Sequence, residues 1–160
     1  AARALAGMEK SIVDKHDWNV KIKVAGTRDA LSESTKKNGV DISVVVPVAT
    51  KPEQSASINE FAAQTNEKTK ETGVFSLGAI HPDNEDYKDI LDDIKKKGLK
   101  GIKVHPDYQK VEFDDPRYLR IFKYADELGL VIVTHAGEDI GLPEKIHCTP
   151  DMVLNVLNKS

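Results

Sequence analysis

The sequence predicts an α/β fold in which short parallel strands alternate with amphipathic helices. Four apolar runs rich in valine and isoleucine each follow a glycine: Gly39 precedes VDISVVVPVAT, Gly73 VFSLGAIHP, Gly98 LKGIKVHP and Gly129 LVIVTHAG. These glycines lie 34, 25 and 31 residues apart, about the length of one βα unit. The stretches between the runs carry apolar residues three and four positions apart, which places each set on one helix face. Nearly continuous apolar strands alternating with such helices read as a parallel sheet covered by helices.

Taken in order, residues 1–14 read as a helix, with Leu5, Met8, Ile12 and Val13 close to a 3.6-residue period. Residues 20–24 alternate and suit a short strand or an extended arm, and the fold around Trp18 stays open. Thr27 can cap a helix that runs through ALSESTKK to Gly39. Residues 1–27 thus form a helix and arm, and 28–160 form the repeated units of one domain or a fragment of one. Strands are expected near 41–49, 73–81, 99–105 and 130–135. Helix stripes are expected at Ile58, Phe61, Ala62 and Thr65, at Tyr87, Ile90, Leu91 and Ile94, and at Tyr118, Ile121, Ala125 and Leu128. Asp115-Pro116 and Thr149-Pro150 look like helix starts, a capping residue followed by proline at the first helical position.

The bulk numbers exclude several classes. The 160 residues suffice for one domain with a core, and 39% hydrophobic with 31% charged residues fits an ordinary globular chain. A net charge of −3 with interleaved signs gives no nucleic-acid or membrane surface. No apolar run approaches the roughly 20 residues a membrane helix needs, and the first residues lack the layout of a signal peptide. The single cysteine, Cys148, excludes an internal disulfide and favours a reducing compartment, by default the cytoplasm.

The polar residues favour a barrel over a small doubly wound domain. His81, His105 and His135 each fall at the C-terminal end of a different expected strand, where βα barrels build their active sites. By alternation Lys103 and His105 share a face of their strand. A plainer reading stands beside this one, since a His-Pro pair can simply stop a strand and bond a backbone group. The charge runs KDILDDIKKK and NEKTKET read as solvated helix faces, and Tyr108 and Asp114 can edge a pocket.

ISVVVPVATKPEQ, GAIHPD, GLKGIKVHPDYQ, VIVTHAG and EKIHCTPD resemble, in order, the middle of the amidohydrolase-related (amidohydrolase 2) family, metal-dependent hydrolases of the amidohydrolase superfamily. The resemblance covers roughly 28–158 and implies a TIM barrel of which this chain supplies strands 2 to 5 of eight, a partial barrel. It implies hydrolysis of C–N or C–O bonds by metal-activated water, or non-oxidative decarboxylation. It implies a divalent metal, zinc first, with His135 as the metal ligand at the end of the fifth strand. Lys103 and His105 would line the catalytic pocket, and His147 and His81 would reach a small-molecule substrate such as a carboxylate. Carboxylation of Lys103 to bridge two metals is a further, less typical role.

The departures are as informative. The histidines are 16, 81, 105, 135 and 147, so the family's His-x-His is absent, and its later-strand ligands would lie beyond Ser160. One ligand falls short of the three protein ligands of a catalytic zinc site, so weak or absent metal binding and no turnover are expected of these 160 residues. Three other readings are weaker or of another class. GAIHPD is also similar to TatD-type nucleases, which carry a glutamate where Lys103 stands. Cys148 beside His147 can be read as an activated thiol. A non-catalytic partial barrel would act as an assembly unit, its open sheet edges pairing with another copy.

Overall fold

The computed structural model describes residues 6, 7, 9, 10, 13, 21, 23, 25–139, 141, 142 and 145–159. Most of the expected 1–14 helix falls outside this set, although Ala6, Gly7, Glu9, Lys10 and Val13 are helical. Trp18 and most of the 20–24 segment also fall outside it.

Helix α1 (Arg28–Lys37) starts as expected, with Thr27 Oγ1 accepting the Ala30 N–H at 3.2 Å. Strand β1 (Ser43–Val45) follows, then a 3-10 turn (Pro52–Gln54), α2 (Ser55–Asn66) and the single turn α3 (Thr69–Thr72). Strands β2 (Val74–Ser76) and β3 (Gly78–Ala79) are consecutive halves of one extended stretch. They lead to α4 (Tyr87–Lys96), β4 (Gly101–Val104), the single turn α5 (Pro106–Gln109), α6 (Pro116–Glu127), β5 (Val131–Thr134) and α7 (Pro150–Leu157). The expected caps are present: Asp115 accepts from the Arg117 N–H at 2.8 Å and Thr149 from that of Met152 at 3.3 Å. Gly98 and Gly129, just past α4 and α6, take φ of +73° and +66°, the left-handed conformation that ends a helix.

Among the described residues the strand pairings are parallel, β1 with β2, and β3 with β4 and β4 with β5. The strands follow chain order in an open arc, the arrangement of part of a TIM-like (β/α) barrel. The regular strands are shorter than the apolar runs for local reasons. Pro47 has no N–H to continue β1, and Pro106 turns the chain from β4 into α5. The 74–79 stretch divides its partners, its first half pairing with β1 and its second with β4. Two asparagines of α2 satisfy the backbone groups left over. Asn66 bonds both N–H and C=O of Ser76, at 2.7 and 2.9 Å, and Asn59 does the same for Ala79, at 2.8 and 3.1 Å. This corrects the expected stripe on α2: its buried residues are Ser55, Asn59, Ala62 and Thr65, and Phe61 is exposed. The helix meets the strand with amides, not only with apolar side chains.

Between the helices and the sheet lies a core of Leu91, Ile94, Ile102, Val104, Tyr118 and Ile121. The register places Ala79, Lys103 and Val133 on the opposite, concave face, and His105 and His135 two residues further along their strands. Val44 pairs with Phe75 on that same face. Val44 is 55% and Val131 59% exposed, so the concave face is apolar and open at both edge strands. Among the described residues no helix is long and apolar enough to cross a membrane.

Candidate metal centre

Gln109 fixes the strand ends around which the site is built. Its buried amide donates to the carbonyls of Ala49 and Ile80, both at 2.8 Å. Its oxygen accepts from the His105 N–H at 3.0 Å and from the Tyr118 hydroxyl. One side chain therefore ties together the segments that follow three successive strands.

Beyond that tie, the rings of Tyr108, His105 and His135 form a stack. Tyr108 and His105 have centroids 3.9 Å apart with planes 8° from parallel, and His105 and His135 4.3 Å apart with planes 6° from parallel. His105 is buried, which lowers its pKa, and the neighbouring His135 lowers it further. Burial raises the Tyr108 pKa, with Asp139 and Asp107 acting in the same direction.

Two carboxylates complete the cluster, and each has one oxygen anchored. Asp107 Oδ1 accepts the His147 backbone N–H at 3.0 Å and lies 2.8 Å from His147 Nδ1. Asp139 Oδ1 accepts the Gly141 N–H at 2.7 Å. The second oxygens turn to the stack: Asp139 Oδ2 lies 3.5 Å from His105 Nε2 and 3.9 Å from His135 Nε2, and Asp107 Oδ2 lies 3.8 Å from His135 Nε2. Asp107 Oδ2 and His135 Nε2 are both buried and, among the described residues, have no hydrogen-bond partner. One ligand atom each from His105, His135 and Asp139 falls within 4.8 Å of the others, a group that can hold a metal ion. Orphaned buried donor atoms facing one another fit a cation, because an unsatisfied buried polar atom costs about 1–3 kcal/mol.

The residues singled out from sequence separate here. His105 and His135 meet. Lys103 lies buried on the concave face without a hydrogen bond or ion pair among the described residues, and burial lowers its pKa. His147 joins the cluster through Asp107. His81 is buried at its own strand end, where Nδ1 accepts the Asp83 N–H at 3.2 Å, and no described contact links it to the stack. Burial raises the Cys148 pKa, and His147 Nδ1 is turned to Asp107, so these two residues do not form a thiolate–imidazole pair. Asp107 and Asp139 were missed. The signal was a carboxylate two or four residues after a strand-end histidine. It is ambiguous, since Asp83 follows His81 in the same way yet pairs with Arg117 at 2.7 Å. A cavity of about 1040 Å³ opens elsewhere, lined by Arg28, Leu31, Val45 and Phe61 among others, and includes none of these residues.

No curated protein matches the chain. A crystal structure of an amidohydrolase II superposes with a TM-score of 0.61 at 13% identity, over 88% of this chain and 50% of that one. The likeness is one of fold, and the chain spans half the length of that structure. The profile of the family described as amidohydrolase matches residues 7–155, nearly the whole sequence. The chain belongs to the amidohydrolase family.

Proposed function

We propose that this chain supplies part of the active centre of a metal-dependent hydrolase acting on C–N or C–O bonds. The family supports the class. The observation that carries the site is the pair of buried, unpartnered atoms His135 Nε2 and Asp107 Oδ2, facing at 3.8 Å beside Asp139. Only one ligand was legible in the spacing, and the fold brings carboxylates to it. A divalent ion, Zn²⁺ first, would be held around His135 and would make a water acidic enough to serve as nucleophile near neutral pH.

The chain's own residues do the rest. Asp107 orients His147, leaving its Nε2 to accept or return a proton. Lys103, buried without an ion pair among the described residues, favours a substrate that carries a carboxylate or develops an oxyanion. His81, buried at the end of its own strand with no described contact to the stack, is proposed for substrate contact only by its strand-end position. Non-oxidative decarboxylation would use the same lysine, and hydrolysis is preferred on the description of the family. The buried, unpaired Cys148 supports a reducing compartment such as the cytoplasm. Elemental analysis after dialysis against Zn²⁺ tests the reading. About one ion per chain, lost in His135→Ala, is expected, and a metal-free protein rejects it.

A separate observation favours an assembly role as well. The concave face exposes Ile42, Val44 and Val46 at one edge and Val131 at the other. Apolar side chains beside strand edges that have no partner among the described residues suit pairing with a second copy or with further βα units.

A further inference from the structure

We infer that the ion is held by His135 between the carboxylates of Asp107 and Asp139, and that His105 is a positioning residue, not a ligand. The inference rests on the proposed metal centre and changes its donor set.

Two independent features of His105 exclude it as a ligand in this arrangement. A ligating imidazole takes the ion in its ring plane, about 2 Å from the nitrogen. The His105 and His135 planes are 6° from parallel and stacked with centroids 4.3 Å apart, so one ion cannot lie in both. The second feature is the tautomer. His105 Nδ1 accepts the Tyr108 backbone N–H at 3.4 Å, which places the ring proton of the neutral imidazole on Nε2. A metal-binding histidine shows the reverse, donating from its other nitrogen to an acceptor. His105 Nε2 instead lies 3.5 Å from Asp139 Oδ2, an electrostatic approach beside the 3.9 Å one that the same oxygen makes to His135 Nε2.

Asp107 takes the place that His105 gives up. It is 1% exposed, its Oδ1 is occupied by His147, and its Oδ2 has, among the described residues, no partner but the 3.8 Å approach to His135 Nε2. Asp139 Oδ2 lies at nearly the same distance from that nitrogen, 3.9 Å. One imidazole and two carboxylates form an oxygen-rich set that suits Zn²⁺ or Mn²⁺ better than a thiolate-seeking ion.

Calorimetric titration with Zn²⁺ and with Mn²⁺ tests this on the parent, H135A, D107N and H105Q. Asparagine keeps an acceptor for His147, and glutamine keeps a donor for Asp139. Losses of about tenfold or more in H135A and D107N, with H105Q within about threefold of the parent, are expected. Equal loss in H105Q and H135A, with D107N binding like the parent, overturns the inference and leaves the metal centre standing. A parent that binds neither ion overturns the proposed function itself. Should D107N fail to fold, long-range ¹H–¹⁵N spectra of the parent decide. The His105 Nε2 proton is expected to persist with Zn²⁺ bound, and its loss overturns the assignment.

Discussion

His105 and His135 lie face to face, with ring centroids 4.3 Å apart and planes 6° from parallel. Two imidazolium rings would repel at this separation, so the stack suits neutral His105. Its pKa is lowered by burial and then by His135, and that of His81 is lowered by burial against the opposing pull of Asp83.

These shifts set a pH dependence of the metal-free protein. Both folded values lie below the ordinary 6.5, so the unfolded chain binds more protons as pH falls through that value. Stability is therefore expected to decline as pH falls from about 7.5 toward 5.5, by up to about 1.4 kcal/mol per pH unit for each histidine. Urea denaturation across this range checks it, with His81→Asn reducing the slope. Stability that rises on acidification would contradict it.

Gln109 makes four hydrogen bonds that join the segments following three strands. Gln109→Leu leaves two carbonyls, one N–H and one hydroxyl without their partner. A loss of about 3 kcal/mol or more is expected in urea denaturation, at about 1–3 kcal/mol per buried orphan. A loss under about 1 kcal/mol would mean that the tie is incidental.

Gly101 admits no side chain. A Cβ there would lie 2.2 Å from the Val131 carbonyl oxygen of the neighbouring strand, and backbone cannot swing away as a side-chain tip can. Gly101→Ala is expected to disrupt the β4–β5 pairing, lowering the thermal midpoint by about 5 °C or more. An unchanged midpoint would contradict the close approach of β4 and β5 at Gly101.

The open concave face predicts self-association. Val44 and Val131, at the two edge strands, are more than half exposed. Light scattering coupled to size exclusion should find a dimer or larger species, shifted toward monomer in the double variant Val44→Glu, Val131→Glu. A monomeric parent would remove the second-copy reading.

The sequence made the repeat legible because glycine-ended helices and β-branched runs are local signals. It placed His105 and His135 at strand ends for the same reason. Their stack, Asp107 and Asp139 were not legible, because carboxylates beyond the strand ends acquire a role only when distant turns bring them to one point. Asp139 faces His105 across 34 residues of chain, and Asp107 holds His147 across 40. The polar face of α2 was missed because Asn59 and Asn66 look like solvent residues until the strand they bond is in place.

The most direct test is anomalous diffraction from crystals soaked in Zn²⁺, recorded at the zinc edge. One dominant peak is expected about 2 Å from His135 Nε2, within reach of Asp107 and Asp139. Zinc confined to surface side chains, with none at His135, would contradict it.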